Sequence, residues 1–470
     1  MRGITIHPDF DIPVYYICVP YNSFLSFDTF MINNNLDSVA REVVCRLREQ
    51  GYVAYYAGGY VRDRLLGINH KQADIDIATN ARPETIASLF HKVVGVGEHF
   101  GVMLVIEQGV TFEVATFRSD VGIADGRHPE RVVYSTAEQD ARRRDFTING
   151  LFYDPVEDKV LDYVGGRRDL QEGIIRSIGD AEQRFREDYL RLLRAVRFSA
   201  RFSFSIEPYT WKSIVHHAPA IIKVSQERIF QELTKMLTGP NPRLAMQLLY
   251  DCGLMAHVLP EVNTLAGVEQ PPEFHPEGDV LEHTLLALEK LHSEPSTVTA
   301  WSTLLHDIGK PSTKTVEDRI RFNNHHHVGA QMARRVLRRL RAPRRLIEEV
   351  SDCIDNHMNW MNVTRMRLST LKKFLARPTI EDELELHRVD CLSSHGDLQN
   401  YYFIKEKQKE FAEESLRPQP LLGGKDLIEL GFTPGPRFGE ILDAVYEQQL
   451  EEHITTKEQA IDWVKSECKV

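Results

Sequence analysis

Two glycines and a pair of aspartates set the tightest limits on how the first half of this chain can fold. The glycines stand in Gly58-Gly59-Tyr60-Val61-Arg62-Asp63, where a backbone without side chains can approach a phosphate group. The segment from Val61 to Leu66 is predicted to be helical, so that its positive N-terminal end would face the phosphate. A Gly-Gly turn alone is common, and its meaning depends on the acids that follow.

The acidic pair is Asp74-Ile75-Asp76. Side chains alternate along an extended segment, so Asp74 and Asp76 would face one way while Ile75 is buried behind them. Paired carboxylates suit Mg²⁺, which takes its remaining oxygens from water and substrate phosphates. A solvated Asp-x-Asp is the plainer alternative. Beside the glycine turn, the pair indicates nucleotidyl transfer.

A third acid lies inside a predicted strand, Thr111-Phe112-Glu113-Val114-Ala115-Thr116-Phe117. An isolated acid in the interior of a β-branched and aromatic run is costly unless a cation or metal pairs with it. Glu113 is therefore the candidate third carboxylate of a site that clamps the attacking and leaving oxygens of a displacement. The alternative is a solvent-facing strand position.

A later segment, from Glu187 to Phe198, is predicted to be one helix. Helical spacing places Glu187, Arg191 and Arg194 on one side, with Asp188 next to Arg191 and with Arg197 a turn beyond Arg194. Asp188 can accept from the exocyclic amine of cytosine or adenine, and Arg191 can donate to a ring nitrogen of either base. Such a pair would select CTP and ATP without a template. A helix with ordinary ion pairs is the alternative.

Two further motifs stand between the strand and this helix. They are Arg142-Arg143-Arg144-Asp145-Phe146-Thr147-Ile148-Asn149-Gly150 and Asp162-Tyr163-Val164-Gly165-Gly166. With the motifs above, in this order, they resemble the class II tRNA nucleotidyltransferases, the family of CCA-adding enzymes and bacterial poly(A) polymerases. The resemblance runs from about residue 54 to 204 and continues more loosely beyond. It implies an α/β nucleotidyltransferase head of the polymerase-β type, followed by an all-α neck, an HD body and a tail.

The resemblance also implies roles for single residues. Catalysis falls to Asp74, Asp76 and Glu113, with Mg²⁺ held by the two aspartates. The implied nucleotide-binding residues are Gly58, Gly59, Arg62, Arg144, Asn149, Glu187, Asp188, Arg191, Arg194 and Arg197. Within this set Arg144 would counter triphosphate charge and Asn149 would bond near the sugar. The implied substrates are CTP, ATP and the 3′ end of tRNA.

The products made within this family leave alternatives. CCA addition is the leading interpretation, because Gly97-Glu98-His99-Phe100-Gly101-Val102-Met103 resembles the glycine-containing segment of that group. Bacterial poly(A) polymerase, an enzyme that adds only A or only C, and an HD-driven RNA-end phosphohydrolase remain open. The segment from Ser119 to Val133, predicted to be a mobile loop, corresponds to a loop that the CCA-adding group uses to switch from C to A addition.

The second half of the chain carries histidines and aspartates in the order of an HD domain. The core set is His283, His306, Asp307 and Asp390, and His325 and His357 match the extra ligands of fuller HD sites. Imidazoles with carboxylates can bind a divalent metal whose water attacks a phosphoester. We therefore expect a phosphohydrolase that acts on 2′- or 2′,3′-cyclic phosphate ends, or on a nucleotide.

The 470 residues divide, by prediction, into five parts. These are an N-terminal extension at 1–35, the head at 36–163, the neck at 164–236, the HD body at 237–416 and the tail at 417–470. The composition is that of an ordinary globular protein, and neither a signal peptide nor a membrane span is expected. Six cysteines without paired spacing fit a reducing cytoplasm.

The net charge of −11 is unusual for an RNA-binding protein, because RNA affinity comes largely from phosphate neutralisation. Local arginine clusters resolve much of this, including a run between Arg334 and Arg345 that is either part of an RNA path or the solvated face of a helix. The acidity favours a compact, discrete RNA target.

Overall fold

The computed structural model describes residues 34–68, 74–97, 101–123, 129–271, 273, 275–411 and 416–468. The predicted N-terminal extension therefore lies almost wholly outside the described residues, as do residues 98–100 of the glycine-containing segment. The chain forms two compact units that divide after Pro260. The five-part division of the sequence stays a prediction.

The first unit is built on a seven-stranded sheet. Its strands are β1 (Ala54–Ala57), β2 (Asp76–Thr79), β3 (Val93–Gly97), β4 (Val102–Glu107), β5 (Val110–Thr116), β8 (Leu151–Asp154) and β9 (Lys159–Asp162), in the spatial order β3-β4-β5-β2-β1-β8-β9. Strands β2 and β5 are parallel, and the other neighbouring pairs are antiparallel. This mixed sheet confirms the α/β head.

The parallel pair brings two of the predicted acids together. Ile77 of β2 is paired with Val114 of β5, and both are fully buried. Asp76 and Glu113 each come one residue before this pair. Because paired strands lie about 5 Å apart, the register sets the two acids side by side where β2 begins.

The segment predicted to be a loop between Ser119 and Val133 is instead a hairpin over much of its length. Strands β6 (Arg118–Ile123) and β7 (Pro129–Tyr134) are antiparallel and form a separate two-stranded sheet. Residues 124–128 lie outside the described part. The prediction was wrong because the strands show little alternation of polar and apolar residues, the usual signal of a half-buried strand.

Helices pack against the sheet, and the chain after β9 is mostly helical. In the first unit they are α1 (Asn34–Glu49), α2 (Gly59–Leu65), α3 (Pro83–Leu89), α4 (Ala137–Arg142), α5 (Gly166–Glu172), α6 (Ala181–Glu187), α7 (Leu190–Phe202), α8 (Pro208–His217), α9 (Gln226–Leu237), α10 (Pro242–Asp251) and α11 (Met255–Val258). A short parallel pair, β10 (Ile174–Ile175) with β11 (Ser205–Ile206), lies among them. Apolar residues of α7 at helical spacing, Leu192, Leu193 and Val196, are fully buried.

The predicted single helix from Glu187 to Phe198 is two helices. Helix α6 ends at Glu187, Asp188 is extended (φ −154°, ψ 105°), and α7 begins at Leu190. The Asp188 carboxylate accepts a hydrogen bond from the backbone N–H of Leu190 at 3.0 Å. Aspartate side chains often compete in this way with helical hydrogen bonds, so Asp188 interrupts the helix between α6 and α7.

The second unit is helical. Its helices are α12 (Pro260–Asn263), which begins at the division, α13 (Val280–Glu289), α14 (Thr297–Leu305), α15 (Lys310–Thr313), α16 (His325–Arg339), α17 (Arg344–Asn356), α18 (Leu368–Leu375), α19 (Ile380–Ser393), α20 (Gln399–Glu410), α21 (Gly424–Glu429), α22 (Arg437–Leu450) and α23 (Lys457–Glu467). A small hairpin, β12 (Lys314–Val316) with β13 (Ile320–Phe322), interrupts them. The architecture confirms the helical region predicted after the head.

The tail has its own apolar core within the second unit. Its buried members are Leu422, Leu427, Phe432, Ile441, Val445, Ile454, Ala460 and Val464. Thr456 and Gln459 form a capping box at the start of α23, which satisfies backbone donors at that end. No helix in the described ranges is long and apolar enough to cross a bilayer.

The arginine run of α16 and α17 lies at the surface. Arg344 and Arg345 are 92% and 88% exposed and pair with Glu348 and Glu349 one helical turn away. Because these charges are partly balanced within their own helix, this end of the run matches the solvated-face alternative.

Candidate active sites

The glycine turn lies where β1 runs into α2. Gly58 has φ +67°, a conformation that favours glycine, and α2 begins at the next residue. A Cβ atom built on Gly58 would lie 3.0 Å from the Arg144 guanidinium and 3.6 Å from a carboxylate oxygen of Asp76. The predicted turn, acid and arginine therefore meet at one point.

The acidic cluster follows the predicted alternation. Ile75 is 3% exposed, Asp76 is half-buried, and Asp74 is exposed. Burial and the charges of Glu113 and Asp74 raise the pKa of Asp76 to about 6, although Arg144 acts in the opposite direction. Carboxylates that repel one another in this way can be stabilised by a hard cation such as Mg²⁺.

The side chain of Glu113 is exposed, whereas a position in the buried interior of the strand was expected. Its strand neighbours Phe112 and Val114 are buried. The prediction that burial forces this acid to pair with a cation or metal was therefore wrong. The place of Glu113 beside Asp76 comes from strand register. In the described part of the chain, the groups whose ligand atoms all lie within 4.8 Å of one another do not include Asp74, Asp76 and Glu113.

A cavity of about 530 Å³ opens beside this cluster. The predicted residues that line it are Gly58, Gly59, Arg62, Asp76, Arg144, Asn149, Asp188, Arg191, Arg194 and Arg197. It is also lined by residues that were not predicted: Arg143, Asp145, Leu190, Phe198, Arg201 and Arg228. Asp74, Glu113 and Glu187 are outside its lining. The volume is within the range of small-molecule sites.

Carboxylates hold the arginines of the cavity in place. Arg144 donates two hydrogen bonds to Asp140, at 3.1 and 3.2 Å. Arg197 donates to Glu232 at 2.6 Å, and both acids are buried. Such contacts fix the direction of each guanidinium before any ligand arrives. The two acids were missed because neither stands out in the sequence.

Asp145 connects two of the predicted residues. It accepts from Arg194 at 2.6 and 2.8 Å and from the Asn149 side-chain amide at 3.0 Å. Burial alone would raise the pKa of Asp145, but Arg194 and Asn149 bring it to about 2. The other end of the Asn149 amide accepts from Arg62 at 2.6 Å. Arg62 and Arg194 are thereby tied to one short turn.

Asp188 and Arg191, which were predicted to read the base, are each held by neighbouring residues. Arg228 donates to both carboxylate oxygens of Asp188, at 2.7 and 3.2 Å. Arg191 donates instead to Glu187 at 2.7 Å and to the Arg184 carbonyl at 2.8 Å. Glu187 therefore orients Arg191. Arg228 lies on α9, and no motif in the sequence around it predicts its contact with Asp188.

In the second unit the predicted histidines face one another. His283, His306, His325 and His357 all use Nδ1 for a hydrogen bond outside the cluster. The partner atoms, in that order, are Glu277 Oε1, Thr303 O, Phe322 O and Ile354 O, at 2.8, 2.9, 2.8 and 2.6 Å. These oxygens can only accept, so Nδ1 carries the proton. Each Nε2 atom is turned into the cluster: that of His283 lies 3.3 Å from His306 Nε2, and that of His325 lies 3.1 Å from His357 Nε2. Nitrogens arranged in this way can bind a metal.

The ligand atoms of this cluster form two groups that share one aspartate. His283, His306 and Asp307 offer ligand atoms within 4.8 Å of one another, and so do Asp307, His325 and His357. Asp390 lies 3.1 Å from His283 Nε2. Burial, together with the neighbouring histidines, lowers the pKa of His357 to about 3, which keeps that ring neutral. This nitrogen and oxygen donor set fits a divalent transition metal.

The residues around this cluster were not predicted. Glu277 orients His283, as described above. Lys310 is 5% exposed and places its ammonium 2.7 Å from Asp307 and 2.6 Å from the Gln270 side chain. Sequence order identified the ligands, whereas these supporting residues depend on contacts that only the fold reveals.

Family models of known proteins match three successive parts of the chain. The family models described as "Poly A polymerase head domain", "Probable RNA and SrmB- binding site of polymerase A" and "HD domain" match residues 54–176, 203–265 and 279–394. The chain is 42% identical to the CCA-adding enzyme of Geobacillus stearothermophilus over 217 residues, 46% of this chain and 53% of that protein. This alignment spans about half of the relative's length.

Two comparisons extend over most of the chain. The CCA-adding enzyme of Ligilactobacillus salivarius is 31% identical over 407 residues, 86% of this chain and 90% of that protein. The crystal structure of the Bacillus stearothermophilus CCA-adding enzyme in complex with CTP superposes with a TM-score of 0.70 at 28% identity, covering 91% of this chain and 96% of the other. Since both the sequence and the fold match along nearly the whole length, the chain belongs to the family of CCA-adding enzymes.

Proposed function

We propose that this protein is a CCA-adding tRNA nucleotidyltransferase that adds C, C and A, from CTP and ATP, to the 3′ end of tRNA. The observation that carries the proposal is the cavity in which Gly58, Asp76 and Arg144 meet the pair Asp188 and Arg191. One end offers carboxylates and phosphate contacts, and the other offers groups that can read a base. A relative of known structure binds CTP.

In the proposed reaction the tRNA 3′-hydroxyl attacks the α-phosphate, and pyrophosphate leaves. Asp74 and Asp76 would hold Mg²⁺, with Glu113 beside them. When bound, Mg²⁺ supplies charge neutralisation at the attacking and leaving oxygens. Arg144 and Arg194 face the space where the triphosphate would lie, and their carboxylate partners keep them oriented. Asn149 would bond near the sugar.

Base selection would rest on the hydrogen-bonding capacity of Asp188. An ionised carboxylate has about four acceptor positions. Arg228 uses two of them and the Leu190 N–H a third, so one remains for the exocyclic amine of cytosine or adenine. Guanine and uracil present a carbonyl there, which cannot donate. Arg191, held by Glu187, would donate to the ring nitrogen.

The direct test uses tRNA transcripts that lack the 3′-terminal CCA. With CTP alone we expect the product to stop after two C, and with CTP and ATP we expect a single A to follow. Long A tails on unrelated RNA would identify a poly(A) polymerase instead. Addition of only C or only A under all conditions would identify a split-pathway enzyme.

We also propose that the second unit is a metal-dependent phosphohydrolase. The observation behind it is the set of histidine Nε2 atoms that converge on Asp307. The candidate substrates are RNA ends that carry a 2′- or 2′,3′-cyclic phosphate, or a nucleotide. We expect phosphate release by the wild type with added divalent metal, and none by the His306→Ala, Asp307→Ala double variant. Equal release by both proteins would contradict this second function.

The remaining assignments follow from these two activities. The partners would be tRNA, CTP and ATP, and the site of action the cytoplasm. In support of a reducing compartment, the five described cysteines are free thiols. The predicted neck, at 164–236, would carry the base-reading residues, and the tail would pack against or dock RNA.

A further inference from the structure

Two aromatic rings lie among the arginines of the nucleotide cavity. Phe198 and Phe202 are four residues apart on α7, with ring centroids 6.2 Å apart and planes within 9° of each other. Phe198 lines the cavity and is 3% exposed. The rings of Phe146 and Phe198 form a T-shaped pair with centroids 5.8 Å apart, so Phe198 contacts two other aromatic rings.

Guanidinium groups surround the face of Phe198. The carbon atoms of the Arg197, Arg194 and Arg62 guanidiniums lie 4.2, 5.2 and 5.3 Å from its ring centroid. These distances are within the range in which the negative face of an aromatic ring attracts a cation. The ring is thus a shared contact of three arginines that come from α2 and α7.

The second ring extends this arrangement. Arg62 lies 4.7 Å from the centroid of Phe202, and Arg201 lies 4.9 Å from it. Four guanidiniums therefore converge on two rings. Each also bonds a carboxylate: Arg62 and Arg201 bond Asp63, Arg194 bonds Asp145, and Arg197 bonds Glu232.

If carboxylates alone neutralised these arginines, they would also weaken the binding of an anionic ligand. Burial lowers the pKa of Arg62 to about 10 and also lowers that of Arg197, although acidic partners oppose both effects. Each carboxylate added near these arginines would also repel a bound triphosphate. An aromatic ring attracts cations through its quadrupole and has no net charge, so it holds guanidiniums together without opposing an anion.

We propose that Phe198 is a positioning residue for the triphosphate, because its ring face holds Arg62, Arg194 and Arg197 together at the cavity wall. The inference rests on the proposed nucleotidyl transfer in this cavity and adds a residue to it. It predicts that triphosphate binding depends on the electron density of the ring and not only on its size.

The test replaces Phe198 in the full-length protein by phenylalanines with one, two and three ring fluorines. Fluorination weakens the negative face of the ring while its shape changes little. We expect the KM for CTP and the inhibition constant of pyrophosphate to rise stepwise, about tenfold across the series, with kcat changing less than KM. Phe198→Leu, which keeps an apolar side chain without the ring, should match the most fluorinated protein.

A matched control lies in the second unit, where Arg377 stands 3.9 Å over the ring of Phe374. The same fluorinated residues at Phe374 should leave the KM for CTP unchanged. A flat KM across the Phe198 series would overturn the inference, even if Phe198→Leu fails to fold. Absence of nucleotide addition by the wild type would instead refute the proposed function, and pyrophosphate binding by calorimetry would still decide the role of Phe198.

Discussion

At the scale of single residues, Arg228 orients Asp188, the carboxylate that we propose reads the base. Its two hydrogen bonds fix both carboxylate oxygens, so Arg228→Ala should let Asp188 turn. We expect kcat/KM for CTP and ATP to fall about tenfold or more, because hydrogen bonds to charged groups contribute about 1.5–3 kcal/mol. We also expect detectable incorporation of U or G.

Single-turnover incorporation of each nucleotide measures this effect. Arg186→Ala is the matched control, since Arg186 is 63% exposed and pairs with Glu182 at the surface. If Arg228→Ala adds C and A at the wild-type rate and still excludes U and G, the role given to Arg228 is wrong.

His387 gives a prediction about pH at the same scale. Its ring stacks on Trp360 at 5.1 Å and 13°, and burial lowers its pKa to about 4. The unfolded chain, with a histidine pKa near 6.5, therefore binds more protons between about pH 4 and 6.5, and stability rises with pH in that window. On acidification, the melting temperature of the wild type should fall more steeply than that of His387→Gln. His292→Gln, at a largely exposed position, is the control, and its melting temperature should fall as that of the wild type does.

At the scale of elements, the Gly165-Gly166 motif supports the turn that carries Asn149. A Cβ atom on Gly166 would overlap the carbonyl oxygen of Thr147, and Thr147–Asn149 forms this turn. Gly166→Ala should cost about 1–3 kcal/mol of stability, as overpacked sites do, and should reduce addition by displacing Asn149. Gly439→Ala, with open space around the new Cβ, is the control; equal melting temperatures and addition rates for the two variants would contradict the argument.

Short sequence motifs could be predicted, whereas contacts between distant elements could not. The acidic pair, the glycine turn and the HD histidines were predictable because each is a short motif whose residue types suit one chemistry. The partners Asp140, Glu232 and Arg228 were not, since each reaches its partner through the fold. The break at Asp188 was missed because its side chain bonds the backbone N–H of Leu190. The expectation of a buried Glu113 was wrong because the position is exposed.

At the scale of the whole molecule, the two proposed activities belong to different units and should be lost separately. Asp76→Asn removes a metal-binding charge needed in the transition state, so addition should fall at least about a hundredfold with phosphatase activity kept. His306→Ala with Asp307→Ala should do the reverse and lower bound transition metal, measured by elemental analysis. Glu157→Gln, at an exposed turn, controls for loss of an acid. Loss of both activities in either variant would contradict the separation.

We propose that side chains of this protein choose the nucleotides without a template. All four nucleoside triphosphates, supplied to a tRNA that lacks its CCA end, followed by sequencing of the new 3′ ends, would test this choice. We predict two C followed by one A, with U and G absent. Ends that contain U or G, or A tails that continue to grow, would contradict it.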